Sequence, residues 1–173
     1  EAQREAQLAA DELIERYEEI NLLYGIGESL GRTVSLPEAT TIILRDIAET
    51  VGARRGVILV HDAASDTLQP VARRGLDDVA MAAIAVADAH SLLARAFRDR
   101  QVVMASASEA RAADERALTG ALLAVPILWT SPDGAVALGV LALAEHAGAQ
   151  SFTAGDQKLL AAIATQIGAA IEN

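Results

Sequence analysis

The side chains able to do acid, base or ligand chemistry are few and scattered along this chain. There are three histidines, His61, His90 and His146, and no cysteine. Without a thiol there is no disulfide, no thiolate nucleophile and no cysteine-held zinc. A cysteine-free chain also fits a reducing compartment, so we expect a cytoplasmic location. None of the compact catalytic signatures occurs: no GxSxG, no HExxH, no Walker loop and no GxGxxG after a strand. Gly25-Ile26-Gly27 lies inside a helical pattern and is not a nucleotide loop. What remains are charges suited to holding a polar molecule. Arg73 closes an apolar segment and can pair with an anion if it points inward. Asp88, His90, Arg95 and Arg98 form a polar group in a short stretch. Each of these has an equally simple reading as a solvated surface charge. We therefore expect no enzymatic activity and no metal site, and the sequence specifies no cofactor.

The elements that carry these residues follow from composition and periodicity. The chain has 173 residues, enough for one domain plus an appendage. Apolar residues make up 52% and aromatics only 3%, so the core must be built from Leu, Ile, Val and Ala. No apolar run reaches the roughly 18 residues of a membrane helix, and we expect no membrane contact. Net charge is −10, and residues 1–31 supply −6 of it through eight acids and two bases. Such a surface disfavours nucleic acid as a partner. Beginning at Glu1 and ending in a helix still periodic at its last residues, the chain reads as part of a longer parent that holds an output domain.

Residues 1 to about 31 read as one long helix. Ala6, Ala10, Leu13, Tyr17, Ile20 and Tyr24 alternate in spacings of four and three, a heptad seam that fits a parallel helix of a second copy in a homodimeric coiled coil, with packing onto its own domain as the alternative. Ile14, Leu23, Ile26 and Leu30 form a second stripe that can face the domain body. Ser35-Leu36-Pro37-Glu38 is a helix start, with Ile42, Ile43, Ile47 and Val51 as its apolar side and Gly52 as its stop. Arg55–Asp62 and Thr67–Arg73 read as a hairpin, followed by an alanine-rich mixed stretch with a helix near Ser91–Arg98. Gln101–Ala105 is a short strand, and residues 106–117 are a loop or a short helix. Gly120–Thr130 and Ala135–Glu145 flank the turn Ser131-Pro132-Asp133-Gly134. Trp129, at the end of the first of these, is a packing anchor or a dimer contact. Thr153 caps the last helix, with Asp156 three residues on and Leu160, Ile163, Ile167 and Ile171 at helical spacing. Pairing by hairpins makes this an α+β chain with a mostly antiparallel sheet of about five or six strands.

This order, with its local sequences, resembles a GAF domain from about Leu23 to Asn173. The matching pieces are SLPEATTIILRDIAETVGARRGVILVHD, LQPVARRGL, LLAVPIL, GVLALAE and SFTAGDQKLLAAIATQIGAAIEN, in that order. Two units follow: residues 1–31 as a coiled-coil signalling helix and 32–173 as a GAF-like domain. The resemblance implies that the N- and C-terminal helices pack on one face of the central sheet. It puts a small-molecule pocket on the other face, roofed by about Gly75 to Arg100.

The resemblance also implies a sensory or regulatory role in a signal-transduction protein, relayed through the terminal helices. The output would be a domain such as a histidine kinase. A ligand-free structural dimerisation or spacer module is the alternative. Arg73, Asp88, His90 and Arg95 become candidate ligand contacts, and Leu13, Tyr17, Ile20, Tyr24, Ile163 and Ile167 candidate dimer contacts. Particular family chemistries fit poorly. Cyclic-nucleotide-binding members carry an Asn-Lys-Phe-Asp-Glu signature. Here only Phe152 and Asp156 match, while Glu145, His146 and Gln157 depart. Bilin attachment and methionine sulfoxide reduction both need cysteine. For a haem ligand only His90 lies in the roof segment. His61 and His146 read as solvated, and His90 as an exposed loop residue.

Overall fold

The computed structural model describes residues 10, 35–76, 82–112, 118, 120–146 and 151–172. The long N-terminal helix expected from the sequence, with Leu13, Tyr17, Ile20 and Tyr24, falls outside the described residues. Ala10 alone is described there, partly buried against the core.

The first described helix, α1 (Leu36–Val51), starts where Ser35 Oγ accepts the Glu38 N–H at 3.2 Å and stops at Gly52, held at φ +84°. Pro37 sits in the first turn, where its missing N–H costs nothing. The buried side is Thr40, Ile43, Leu44, Ile47, Ala48 and Val51. Leu44 thus takes the place expected for Ile42, which is 43% exposed. The helical repeat of 3.6 residues puts Leu44 on the side of Ile43, Ile47 and Val51 and turns Ile42 away from it. Thr40 is buried without cost because its hydroxyl donates to the Leu36 carbonyl at 2.7 Å.

Six strands follow: β1 (Ala53–Asp62), β2 (Thr67–Arg74), β3 (Ile84–Ala85), β4 (Val103–Ala105), β5 (Leu122–Ser131) and β6 (Gly134–His146). They form one sheet in the order β3-β2-β1-β6-β5-β4, with every pair antiparallel. The β5–β6 hairpin turns through Pro132 and Asp133 as the sequence predicts. β3 is unforeseen; two residues are too few to leave a periodic signal.

Three further helices lie among the described residues: α2 (Leu92–Asp99) and α3 (Ala107–Ala112) on either side of β4, and α4 (Ala154–Glu172) after β6. Both faces of the sheet are covered, which is why the central strands read as continuous apolar runs and do not alternate. On one face α1 packs over β1 and β2, and α4 over β5 and β6. Ile58, Leu123, Val125, Ile127, Leu141 and Leu143 point to that side and meet Leu160, Ile163 and Ile167 of α4. Each such buried aliphatic chain contributes about 1.5–3 kcal/mol of apolar transfer. On the other face Val57, Leu59, Leu68, Ala124, Val140, Ala142 and Ala144 meet Leu93, Ala96 and Phe97 of α2. The alanines on that face let α2 settle close to the strands.

Candidate functional site

The site is built on the face covered by α2. Ser91 caps this helix: its Oγ accepts the Ala94 N–H at 3.1 Å, in a buried position. Arg100 ends it in the left-handed conformation at φ +53°. Leu93, Ala96 and Phe97 sink into the sheet, while Arg95 and Arg98 stay outside. The Phe97 ring meets the His61 ring at 4.8 Å, and His61 Nε2 lies 2.8 Å from Asp66 Oδ1 in the β1–β2 turn. His61 is therefore not solvated as expected. It pins the tip of the first hairpin to α2, because the register puts it on the same face as Leu68.

The loop before α2 is held by its own polar groups. Asp88 Oδ1 accepts the His90 N–H at 2.9 Å, and Arg98 Nη1 donates to the carbonyls of Val86 and Asp88. Asp88 and Arg98 thus shape the loop. His90 and Arg95 remain exposed beside a recess of about 380 Å³. Ala89, Ser91, Leu92, Ala105 and Glu109 complete its walls. Glu109 comes from α3, where it forms a reciprocal cap. Its N–H donates to Ser106 Oγ at 3.2 Å, and its Oε1 accepts the Ser106 N–H at 3.1 Å. The Ser106 backbone N–H chiefly, then the Ser106 hydroxyl and the Arg95 charge, hold the Glu109 carboxyl below its usual value. A carboxylate at this position is thus favoured in its charged form.

Of the candidate ligand residues, His90 and Arg95 come together at the recess and Asp88 stands behind them. Arg73 does not join. It pairs with Val57 in the β1–β2 ladder, which places it on the α2 side of the sheet but away from the recess walls. Glu109 was missed, though Ser106 with Glu109 three residues on is the usual sequence sign of a capping box. The proposed dimer contacts Ile163 and Ile167 are corrected outright: both are fully buried within the chain against the sheet, leaving no surface for a partner.

Glu145, Phe152 and Asp156, at three of the cyclic-nucleotide signature positions, are in structural use. Glu145, at φ +56°, accepts from Arg55 Nε at 2.8 Å and lies 3.7 Å from Arg54. Phe152 is core, and Thr153 and Asp156 cap α4 reciprocally at 3.1 and 2.9 Å. Among the described residues no cluster of His, Asp and Glu is arranged to hold a metal ion. No described helix is long and apolar enough to cross a membrane.

A family model described as GAF domain matches residues 33–172. The chain belongs to the GAF domain family. GAF domains are typical of signalling proteins. Solved structures agree with the assignment. The GAF domain of an Acinetobacter phosphoenolpyruvate-protein phosphotransferase superposes with a TM-score of 0.73 at 17% identity, covering 95% of this chain and 93% of that one. The second GAF domain of DevS from Mycobacterium smegmatis gives 0.58 at 27% identity, covering 79% and 91%. A free methionine-R-sulfoxide reductase from Neisseria meningitidis, solved with its substrate, gives 0.72 at 18% identity, covering 97% and 90%. No curated protein matches the sequence. The GAF fold thus also serves an enzyme, but this GAF chain has no cysteine.

Proposed function

We propose that this GAF domain is a non-catalytic sensory or regulatory module of a signal-transduction protein. It binds a small molecule in the recess beside α2, pairs with a second copy through the N-terminal seam, and relays the state of the recess through its terminal helices. The output is a domain of the same parent chain, such as a histidine kinase of a two-component system. One observation carries this reading: α2, which walls the recess, and the C-terminal helix α4 pack on opposite faces of the same strands, β5 and β6. Leu122 packs beneath α2 while its neighbour Leu123 packs beneath α4. A displacement of β5 is therefore felt on both sides, and two helix packings need differ by only a few kcal/mol for a ligand to move the balance.

The dimer is tested by native mass spectrometry of the purified chain. We expect a dimer, and we expect Leu13→Glu with Ile20→Glu to give a folded monomer of unchanged circular dichroism. An unchanged dimer mass in that variant refutes the seam.

A ligand-free spacer is the second reading. It is favoured by how completely Leu93, Ala96, Phe97 and Leu118 fill the α2 side of the sheet. A small molecule that co-purifies in stoichiometric amount excludes it.

A further inference from the structure

We infer that the recess takes a small zwitterion, an α-amino carboxylate with a short aliphatic side chain. The inference rests on the recess being the ligand site of the sensor. Two opposite charges face this space from different elements. Arg95 stands on α2 and Glu109 on α3, and both line the recess. Arg95 is close enough to act on the Glu109 carboxyl, yet no ion pair joins them among the described residues. Arg95 is exposed, and its guanidinium makes no hydrogen bond among the described residues. Glu109 spends Oε1 on the Ser106 N–H and keeps further acceptor sites on its carboxylate.

The arrangement selects by sign. A plain anion drawn to Arg95 is repelled by Glu109, and a plain cation drawn to Glu109 is repelled by Arg95. A molecule carrying both charges satisfies both walls and completes the ion pair that the protein leaves open. The rest of the lining sets the remainder of the ligand. Leu92, Ala89 and Ala105 offer apolar contact, and His90 adds a ring able to donate or accept. The volume, about 380 Å³, is at the lower end for small-molecule sites, which suits a compact ligand.

Three near-isosteric probes separate the charges: L-norvaline, pentanoate and butylamine. Each is titrated into the whole 173-residue chain at low salt, read by amide chemical shifts. We expect norvaline to give saturable shifts at Ser91, Leu92, Arg95 and Glu109, with pentanoate and butylamine each weaker by about ten- to a hundredfold. Arg95→Gln should reduce norvaline binding to the level of butylamine, and Glu109→Gln to the level of pentanoate. Glutamine still serves in a capping box, so the second variant keeps α3 in place. Pentanoate binding as tightly as norvaline overturns the zwitterion in favour of a simple anion site. An absence of saturable shifts around the recess with all three probes overturns it as well. Neither result touches the dimer mass, on which the seam and relay stand or fall separately.

Discussion

Gly139 lies at the middle of β6, opposite Val60 of β1 on one side and Ile127 of β5 on the other. A methyl group added there falls on the carbonyl oxygen of Leu59, with the Leu59 carbonyl carbon at 3.0 Å and Val60 Cα at 3.2 Å. All three are backbone atoms, so no rotamer change relieves the contact. β1 and β6 must separate locally or the ladder must twist. Overpacking of this kind costs about 1–3 kcal/mol. Each ladder hydrogen bond lost adds about 1 kcal/mol. Against this, alanine recovers up to about 1 kcal/mol over glycine inside a strand. Gly139→Ala should therefore lose about 3 kcal/mol net. At roughly 2–4 °C per kcal/mol for a domain of this size, its Tm falls by about 10 °C. Urea unfolding followed by Trp129 fluorescence and by circular dichroism measures this directly, as a lower midpoint at unchanged slope. Gly155→Ala is the matched control. Its new methyl meets only Thr153 Oγ1 at 3.6 Å in the first turn of α4, so a gain of about 0.5–1 kcal/mol is expected. If Gly139→Ala proves as stable as Gly155→Ala, the close approach of β1 and β6 is wrong.

Two further outcomes follow from the caps. Thr153→Ala removes the oxygen that receives the Asp156 N–H and should cost about 1 kcal/mol, with Thr153→Ser close to the parent in the same urea titration. Glu109 has a depressed pKa in the folded chain, so its support of α3 is full above its ordinary value and fades as pH falls through the lower folded one. Exchange protection of the Ser106 amide should drop across that acidic window, and protection that stays level while Glu109 is protonated refutes the assignment.

Much of this architecture was legible because its signals are local. Ser35 and Thr153 announce helix starts through oxygens that reach only three residues ahead. Ser131 to Gly134 announce the hairpin by turn chemistry that needs no distant partner. The failures come where tertiary packing decides. Ile163 and Ile167 mark an apolar helix face, but periodicity does not say whether that face meets its own sheet or a second chain. His61 looked solvated because its partner Phe97 is remote in sequence. The recess was half visible: His90 and Arg95 lie in the expected roof, whereas Glu109 enters from beyond it, across β4.

The alternation of side chains along β5 and β6 also bears on how such domains diverge. Along β6, Val140, Ala142 and Ala144 belong to one face and Leu141 and Leu143 to the other, so consecutive codons answer to different selective pressures. Enlarging Ala142 or Ala144 reshapes the space beneath α2 without replacing a single side chain that α4 rests on. One layer can thus change while the other is inherited intact. Over time this separation predicts rapid drift of one layer and slow drift of the other within a single strand.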